Sequence, residues 1–351
     1  MQKWVYLLLT ILLFSTYLTS CEDSLSEPTP PGKSRLDVVK NRGKLHCGVE
    51  GNIQGFSFVD QNGNYSGIDV DICKAVAAAL FNDPNAVEYR NLDSTERFTA
   101  LNGGKVDMLS RNTTWTVSRD TTVGLEFAPT TFYDGQSIMV RANSGINSLE
   151  GLEGKSICVE AGTTTELNLT DNLRKRNIEA ETLTFQQADP AYTAYAEGRC
   201  DGMTSDKSQL LGRRQTFPNP EQHIILNTTL SKEPLSPATI NNDPVWSDVV
   251  KWVIYALIEA EELGITQANI DEKKNSGHWK VRIFLGEDRI GGNIGEGLGL
   301  SNDFAYRVIK QVGNYGEIYD RNLGKNSPFK LPRGQNNLWT NGGLLYSPPF
   351  R

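Results

Sequence analysis

Residues 109–120, with the sequence LSRNTTWTVSRD, are rich in hydroxyl side chains and contain an arginine, Arg119, near their end. Arg119 carries a planar guanidinium whose paired N–H groups match the two oxygens of a carboxylate. The hydroxyls of Thr113 and Thr114 and the nearby backbone amides could supply further donors. The alternative is an exposed arginine paired with Asp120, the ordinary solvated state of this residue type. The run therefore predicts either an anion-binding loop or a surface ion pair.

A later acid and a pair of threonines also follow predicted strands. Asp206 comes shortly after the predicted strand Cys200–Met203 and could balance a cation. Its alternative role is to cap a helix that begins at Lys207. Thr163 and Thr164 lie in a turn before a predicted helix, where the first backbone amides favour an anion. Ordinary helix capping by these two residues is the alternative.

Short strands alternate with helices twice along the chain, which predicts two α/β units with parallel sheets. In parallel sheets, ligands bind beyond the carboxyl ends of the strands, and the residues named above follow such ends. A return crossing between the units is expected at residues 228–237, before an amphipathic helix at 246–263. The strands are predicted at residues 44–49, 87–92, 106–109, 137–140, 156–159, 182–185 and 200–203.

The segment Gly67–Leu80 is the most regular element of the chain, with the sequence GIDVDICKAVAAAL. Asp69 and Asp71 stand two residues apart before a helix of small apolar side chains. One apolar stripe of this helix can pack on a sheet. A turn that leads into a crossover helix fits most α/β domains, so the pattern alone indicates a scaffold rather than a function.

The first twenty residues resemble a secretion leader. Lys3 precedes an uninterrupted apolar or hydroxyl run at residues 4–17, which is shorter than a spanning helix of about 20 residues. The following Leu-Thr-Ser-Cys resembles the bacterial lipoprotein processing box, in which Cys21 is acylated; an ordinary cleaved signal is the alternative. Residues 22–34 are rich in Ser, Pro, Glu and Gly, and predict a flexible tether.

Composition argues against several classes of partner. The chain has 42 acidic and 35 Lys or Arg residues, and no basic cluster interleaved with aromatic residues, so a nucleic-acid partner is not expected. Its three histidines lie far apart, so no metal or other cofactor is expected. Four cysteines remain besides Cys21; three disulfide pairings are possible in an exported protein, and buried free thiols are the alternative.

The order of residues in Gly67–Leu80 resembles the signature of solute-binding proteins of polar amino-acid ABC importers, bacterial solute-binding protein family 3. The resemblance covers about residues 36–262 and resumes at 313–319, with the sequence GNYGEIY. The run at 109–120 is similar to the general L-amino-acid-binding branch. The segment at 264–312 and the tail beyond 319 have no counterpart in the small members.

The resemblance implies an α/β, two-lobed fold of the periplasmic-binding-protein type II class, with two hinge crossings. The implied organisation is a signal peptide at 1–20, a tether at 21–34, lobe 1 at 35–133 and 234–351, and lobe 2 at 134–233. In such a fold Cys47 and Cys73 would pair in lobe 1, and Cys158 and Cys200 in lobe 2.

The resemblance also assigns the poles of an amino-acid ligand. Arg119 would clamp the carboxylate, helped by Thr114 and by the backbone of Asn112, which departs from the small residue often found there. Asp206 would bind the ammonium group. The amides of Thr163 and Thr164 would approach the carboxylate from lobe 2.

The pocket wall is assigned less firmly. Glu50, Ile53 and Ser94 match wall positions of the family, together with Asn52, Arg97 and Glu160. Related proteins often place an aromatic ring where Ile53 lies, so its absence predicts a roomier pocket.

The resemblance therefore implies a non-enzymatic, extracytoplasmic component of an ABC importer that binds L-amino acids of broad, polar range. We expect it to be a periplasmic monomer, held to the membrane only by lipid at Cys21, with the permease subunits as partners. One alternative is a periplasmic cyclohexadienyl dehydratase on the same fold, with Glu50 or Glu160 as general acid. A sensory module is a further alternative, but it ordinarily needs a downstream spanning or signalling segment.

Overall fold

The computed structural model describes residues 27–275, 278–287 and 292–351. The predicted signal peptide at 1–20 and the predicted lipidation site Cys21 lie outside these residues. The described part of the predicted tether begins at Glu27 and has no helix or strand. The Glu27 amide donates to the Gly104 carbonyl at 3.3 Å, and Arg35 donates to the Glu27 carbonyl. This end of the segment therefore lies against the folded protein.

The first part of the chain forms one α/β unit. Its elements are α1 (Arg35–Arg42), β1 (Leu45–Val49), β2 (Asn52–Ile53), β3 (Ser57–Val59), β4 (Tyr65–Ser66), α2 (Ile68–Phe81), β5 (Val87–Asn91), α3 (Arg97–Asn102), β6 (Met108–Leu109), α4 (Val117–Thr121) and β7 (Leu125–Phe127). Strands β2, β3 and β4 form a small antiparallel sheet of their own.

The chain then builds a second unit and returns to the first. The second unit has β8 (Phe132–Arg141), β9 (Ser156–Glu160), α5 (Thr164–Arg176), β10 (Glu181–Phe185), α6 (Ala188–Ala196), β11 (Gly202–Asp206), α7 (Lys207–Arg214), β12 (His223–Ile225) and β13 (Lys232–Leu235). The return adds β14 (Ala238–Ile240), α8 (Pro244–Glu262), α9 (Ile270–Lys274), α10 (Trp279–Phe284), α11 (Phe304–Val312) and α12 (Tyr315–Asn322).

Each unit is organised around its own sheet, and we call the two units lobe 1 and lobe 2. The strand order is β5-β1-β6-β14-β7 in lobe 1 and β10-β9-β11-β8-β12 in lobe 2, where β13 also pairs with β8. The expectation of parallel sheets is wrong in part, because both sheets are mixed. Strands β8 and β14 enter directly from the crossings and run antiparallel to their neighbours, whereas β9, β10 and β11 are parallel.

The two crossings between the lobes lie side by side. Strands β8 and β13 pair antiparallel, from Phe132 opposite Leu235 to Gly135 opposite Lys232. The predicted lobe boundaries, at 133/134 and 233/234, fall inside these two strands. We call this paired ribbon the hinge pair, because both connections between the lobes pass through it.

Helix α2 is buried over most of its surface, although the sequence predicted one apolar stripe, formed by Ile72, Ala75, Val76 and Ala79. Ala77 and Ala78, which lie outside that stripe, are fully buried. The reason is the C-terminal segment, since α11 packs on α2 and α12 contacts it too. Asp71, in the first turn of α2, accepts hydrogen bonds from Arg321 at 2.8 Å and Asn322 at 2.6 Å. The segment without a counterpart in small family members is thus part of lobe 1.

Both lobes contain one disulfide. Cys47 of β1 is bonded to Cys73 of α2, and Cys158 of β9 is bonded to Cys200 just before β11. The alternative of buried free thiols is therefore wrong for these four residues. The bridges span 26 and 42 residues, and restricting the unfolded chain in this way stabilises the fold by about 3–4 kcal/mol each. Among the described residues, no helix is long and apolar enough to cross a bilayer.

Candidate ligand-binding cleft

A narrow polar cleft lies between the lobes, where loops at the strand ends meet. Lobe 1 contributes the start of α3, the loop after β6 and α4; lobe 2 contributes the turn before α5 and the end of β11. The cleft is closed, because the Thr114 and Thr164 hydroxyl oxygens lie 3.3 Å apart and Ser94 donates to the Ala161 carbonyl at 2.6 Å. The lining residues are Arg97, Arg111, Asn112, Thr114, Arg119, Glu160, Thr163, Thr164, Thr165, Ser205, Asp206 and Gln209.

Arg119 is a buried cation on the lobe 1 side. It lies on α4, whose N-cap Thr116 accepts from the Arg119 amide. Its guanidinium donates to the Thr114 carbonyl at 2.8 Å and stacks over the Phe98 ring at 5.3 Å. Burial lowers the pKa of Arg119 to about 10, so it stays charged at neutral pH. The surface-pair alternative is wrong, because Asp120 instead accepts from the Trp115 indole at 2.7 Å.

Asp206 is a buried acid on the lobe 2 side. It precedes α7, but its side chain makes no capping hydrogen bond, so the capping alternative is not realised. One oxygen accepts from Gln209 at 3.1 Å, and the other, Oδ1, has no partner among the described residues. Burial raises the pKa of Asp206 well above its ordinary value, and the charges of Asp134 and Glu233 raise it further. This carboxylate is therefore placed to take a cation.

Asn112 presents its side chain, rather than its backbone amide, as an open group. The residue adopts the left-handed conformation at φ 42°, and its amide donates to Asp69 at 3.1 Å. Asp69 also accepts from Ser110 at 3.2 Å, and burial raises the pKa of Asp69 to about 6. Both polar atoms of the Asn112 side chain are buried without a partner among the described residues. An open donor and an open acceptor thus face the cleft.

A second set of charges lies beside the first, and sequence reasoning missed its central residue. Arg111 forms an ion pair with Glu50 and approaches Glu160 of lobe 2 at 3.5 Å. Arg97 reaches the Gly162 carbonyl at 3.4 Å, while its Nε has no partner within the described chain. Burial raises the pKa of Glu50 to about 7, although Arg111 opposes this. The cleft wall is therefore built from charges of both signs.

The hinge contributes Glu233, which was not predicted either. This residue of β13 is only 1% exposed. Its Oε2 accepts from Thr114 at 2.6 Å and from Thr164 at 2.8 Å. Its Oε1 accepts from Asn168 at 3.0 Å and from Ser231. The only sequence signal was an acid inside the predicted return crossing.

Three predicted site residues have other surroundings. Ile53 is buried in the apolar core of lobe 1 and does not line the cleft, so its size says nothing about the width of the pocket. Ser94 bridges the lobes through the bond to Ala161 described above. The Thr163 hydroxyl accepts from the Glu166 amide at 3.1 Å and so caps α5. The alternative prediction of helix capping is therefore correct for the Thr163 side chain.

Two α/β lobes, joined by a strand pair and closed over buried opposite charges, define a two-lobed binding protein. The sequence agrees, since the model of the bacterial extracellular solute-binding proteins, family 3, matches residues 45–281. The chain belongs to this family. Among the described residues, no three His, Cys, Asp or Glu side chains are grouped to hold a metal ion.

Three relatives show how far the similarity extends. The chain is 51% identical to the general L-amino acid-binding periplasmic protein AapJ of Rhizobium johnstonii, over 90% of this chain and 92% of that protein. It is 45% identical to the glutamate/glutamine/aspartate/asparagine-binding protein BztA of Rhodobacter capsulatus, over 91% and 94%. A Brucella ovis ABC-transporter periplasmic binding protein, solved with glutathione bound, is 47% identical with a TM-score of 0.88, over 91% of this chain and all of its own.

These relatives are binding proteins, and the dehydratase alternative receives no support from them. The similarity spans nine tenths of the chain, so it includes at least part of the C-terminal segment beyond residue 264.

The burial of Asp206 predicts how the stability of the ligand-free protein depends on pH. The folded-state pKa of Asp206 is raised, so its contribution is complete below its unfolded pKa and is lost as the pH rises through the folded pKa. Asn mimics the neutral acid and does not titrate. We therefore expect Asp206→Asn to stabilise ligand-free protein relative to the parent at pH 8, and to have less effect at pH 4.5. His46 and His223 are unchanged in both proteins, so their titration cancels in the comparison.

The measurement is urea unfolding of both proteins at the two pH values, after ligand has been removed by refolding from denaturant. Equal differences in the free energy of unfolding at pH 4.5 and pH 8 would contradict the burial of a strained carboxylate at this position.

Proposed function

We propose that this protein is the periplasmic substrate-binding component of an ABC importer and that its ligands are free L-amino acids. The observation that carries the proposal is that Arg119 from lobe 1 and Asp206 from lobe 2 line the same closed cleft. A free amino acid has a carboxylate and an ammonium on one carbon, and these two buried side chains complement them. The names of AapJ and BztA support this class of ligand.

The geometry also gives a reason for closure. Arg119 would take the ligand carboxylate, and the first amides of α5, which have no intrahelical acceptor, would approach it from lobe 2. Asp206 would take the ammonium group. Because the two poles belong to different lobes, only the closed form engages both, and this difference in affinity drives the closure.

The remaining cleft residues favour polar side chains of more than one kind. Arg97 and Arg111 offer donors for a carboxylate or an amide oxygen, while Glu160 offers acceptors; Glu50 lies behind this wall in the ion pair with Arg111. The open amide of Asn112 can both donate and accept. Such a wall suits acidic and amide ligands together, in agreement with the four amino acids in the name of BztA.

A thermal-shift screen of the twenty L-amino acids tests the ligand class. A ligand that binds only the folded state raises the melting temperature, by about 2.7 kcal/mol of added stability at a hundred times its Kd. We expect the largest shifts for glutamate, glutamine, aspartate and asparagine, and none for the D-enantiomers. A flat profile with every amino acid would contradict the proposal.

Glutathione belongs in the same screen as a second candidate, because the Brucella ovis relative was solved with it. Its γ-glutamyl residue keeps a free α-carboxylate and α-ammonium, so the Arg119 and Asp206 poles suit it equally. A shift with glutathione but with no free amino acid would replace the amino-acid proposal with a peptide one.

Arg119→Ala tests the carboxylate pole. Truncating one partner of a buried charge pair costs about 2–5 kcal/mol, so calorimetry should show at least roughly 30-fold weaker binding of L-glutamate. The exposed Arg199→Ala is the matched control and should bind like the parent. Affinity of the Arg119 variant within about threefold of the parent, less than 1 kcal/mol, would remove Arg119 from the site.

We further propose that the protein is a monomer exported by the leader at residues 1–20 and held to the membrane by lipid at Cys21. The support is the sequence Leu18-Thr19-Ser20-Cys21 before a polar tether. Acyl chains add about 0.8 kcal/mol per buried methylene, and salt does not screen this attachment.

Cys21→Ala should therefore move the protein from the membrane fraction of cells to the soluble periplasmic fraction. The parent should stay with the membranes after a high-salt wash, which separates a lipid anchor from electrostatic adsorption. Equal release of the parent and the variant would contradict lipidation at this residue.

A further inference from the structure

Glu233, a residue of the hinge pair, touches both lobes at once. Thr114 belongs to lobe 1, Thr164 and Asn168 belong to α5 of lobe 2, and Ser231 precedes β13; all four donate to this carboxylate. A carboxylate has about four lone-pair positions. Each oxygen of Glu233 therefore already accepts two hydrogen bonds.

This arrangement fixes the polarity of two hydroxyls that line the cleft. A threonine hydroxyl has a single proton to donate and lone pairs that can accept. The protons of Thr114 and Thr164 are both directed at Glu233 Oε2, at 2.6 and 2.8 Å. Their oxygens are left as acceptors. The sequence-based expectation that the Thr114 hydroxyl helps to bind a carboxylate requires the opposite polarity.

An ammonium group is the ligand group that fits such acceptors. It carries three N–H donors, and the acceptors of the cleft include the Thr114 and Thr164 oxygens and the unpartnered Oδ1 of Asp206. A hydroxyl or keto group in place of the ammonium could supply one donor or none. The unmatched acceptors would then be buried without a partner, which costs free energy.

We propose that Glu233 is a positioning residue that sets the ammonium pole of the cleft. It holds the Thr114 and Thr164 protons away from the ligand, so that the site takes α-amino acids and rejects the matching α-hydroxy acids. The inference rests on the proposed amino-acid function and goes beyond it, because it assigns the choice of ligand head group to a hinge residue that contacts the ligand only through two threonines.

The test compares two ligand pairs that differ only in this group, L-glutamate with L-2-hydroxyglutarate and L-alanine with L-lactate. Calorimetry on the parent should favour the amino acid by about 100-fold or more in at least one pair, since a site built to hydrogen-bond a group rejects the analogue without it.

Glu233→Gln should reduce this preference about tenfold or more, an amount that corresponds to at least 1.4 kcal/mol. Asn168 donates to the Oε1 position of residue 233, so the amide oxygen of the new Gln should lie there. The amide NH2 then lies at the Oε2 position and donates to the Thr114 and Thr164 oxygens, whose protons must point into the cleft instead. Glu261→Gln, which removes a partly buried carboxylate bound to Arg333 outside the cleft lining, is the matched control and should keep the parental preference.

The outcomes separate the two proposals. If the parent binds neither L-glutamate nor L-alanine, the proposed amino-acid function fails and the inference fails with it. If the parent prefers the amino acid and Glu233→Gln keeps that preference within about threefold, the amino-acid function stands and the inference is wrong.

If circular dichroism shows that Glu233→Gln does not fold, Thr114→Val replaces it, because loss of one acceptor should weaken binding of the amino acid more than binding of the hydroxy acid. An unchanged preference in Thr114→Val would equally overturn the inference.

Discussion

The burial of opposite charges in one narrow cleft is the constraint on which the rest of the site depends. Removing an ion from water costs several kcal/mol unless another charge or dipole replaces the water. In the closed cleft, Arg119 is satisfied only in part, by a carbonyl and an aromatic ring, and Asp206 only by one amide. The raised pKa of Asp206 and the lowered pKa of Arg119 have the same physical origin, burial. A zwitterion between the two would relieve both.

The hinge pair carries two acids, Asp134 on β8 and Glu233 on β13, which stand opposite each other in the paired strands. Burial raises the pKa of Asp134 to about 6, and its carboxylate is held by Ser208 and by the Gly135 amide. Each of these acids accepts hydrogen bonds from donors of its own. Among the described residues of the cleft, buried polar atoms without a hydrogen-bond partner include those of Asp206, Asn112, Arg97 and Glu160.

The sequence predicted the scaffold better than the site. Periodicity located α2 and the disulfide-bearing strands, and the resemblance of the run at 109–120 located Arg119, because these features depend on local order along the chain. It could not reveal Arg111 and Glu233, whose roles depend on partners more than fifty residues away. It also assigned Ile53 to the pocket by position, but the side chain turns into the core of lobe 1. The mixed sheets were not predicted. The antiparallel direction of β8 and β14 follows from the crossings between the lobes, and the hydrophobic periodicity of the sequence carries no information about strand direction.

The signature helix α2 connects the two features that the sequence left separate, the cleft loop and the C-terminal segment. Asp69 faces the cleft loop and holds the Ser110 hydroxyl and the Asn112 amide, which fixes the left-handed turn and aims the Asn112 side chain. Asp71 lies half a turn away and holds Arg321 and Asn322 of α12. Both acids belong to the same helix. The packing of α11 and α12 against α2 therefore also supports the loop after β6, which Asp69 holds at the start of the helix. The acids of the signature are thus structural: Asp69 positions the loop after β6, and Asp71 positions α12.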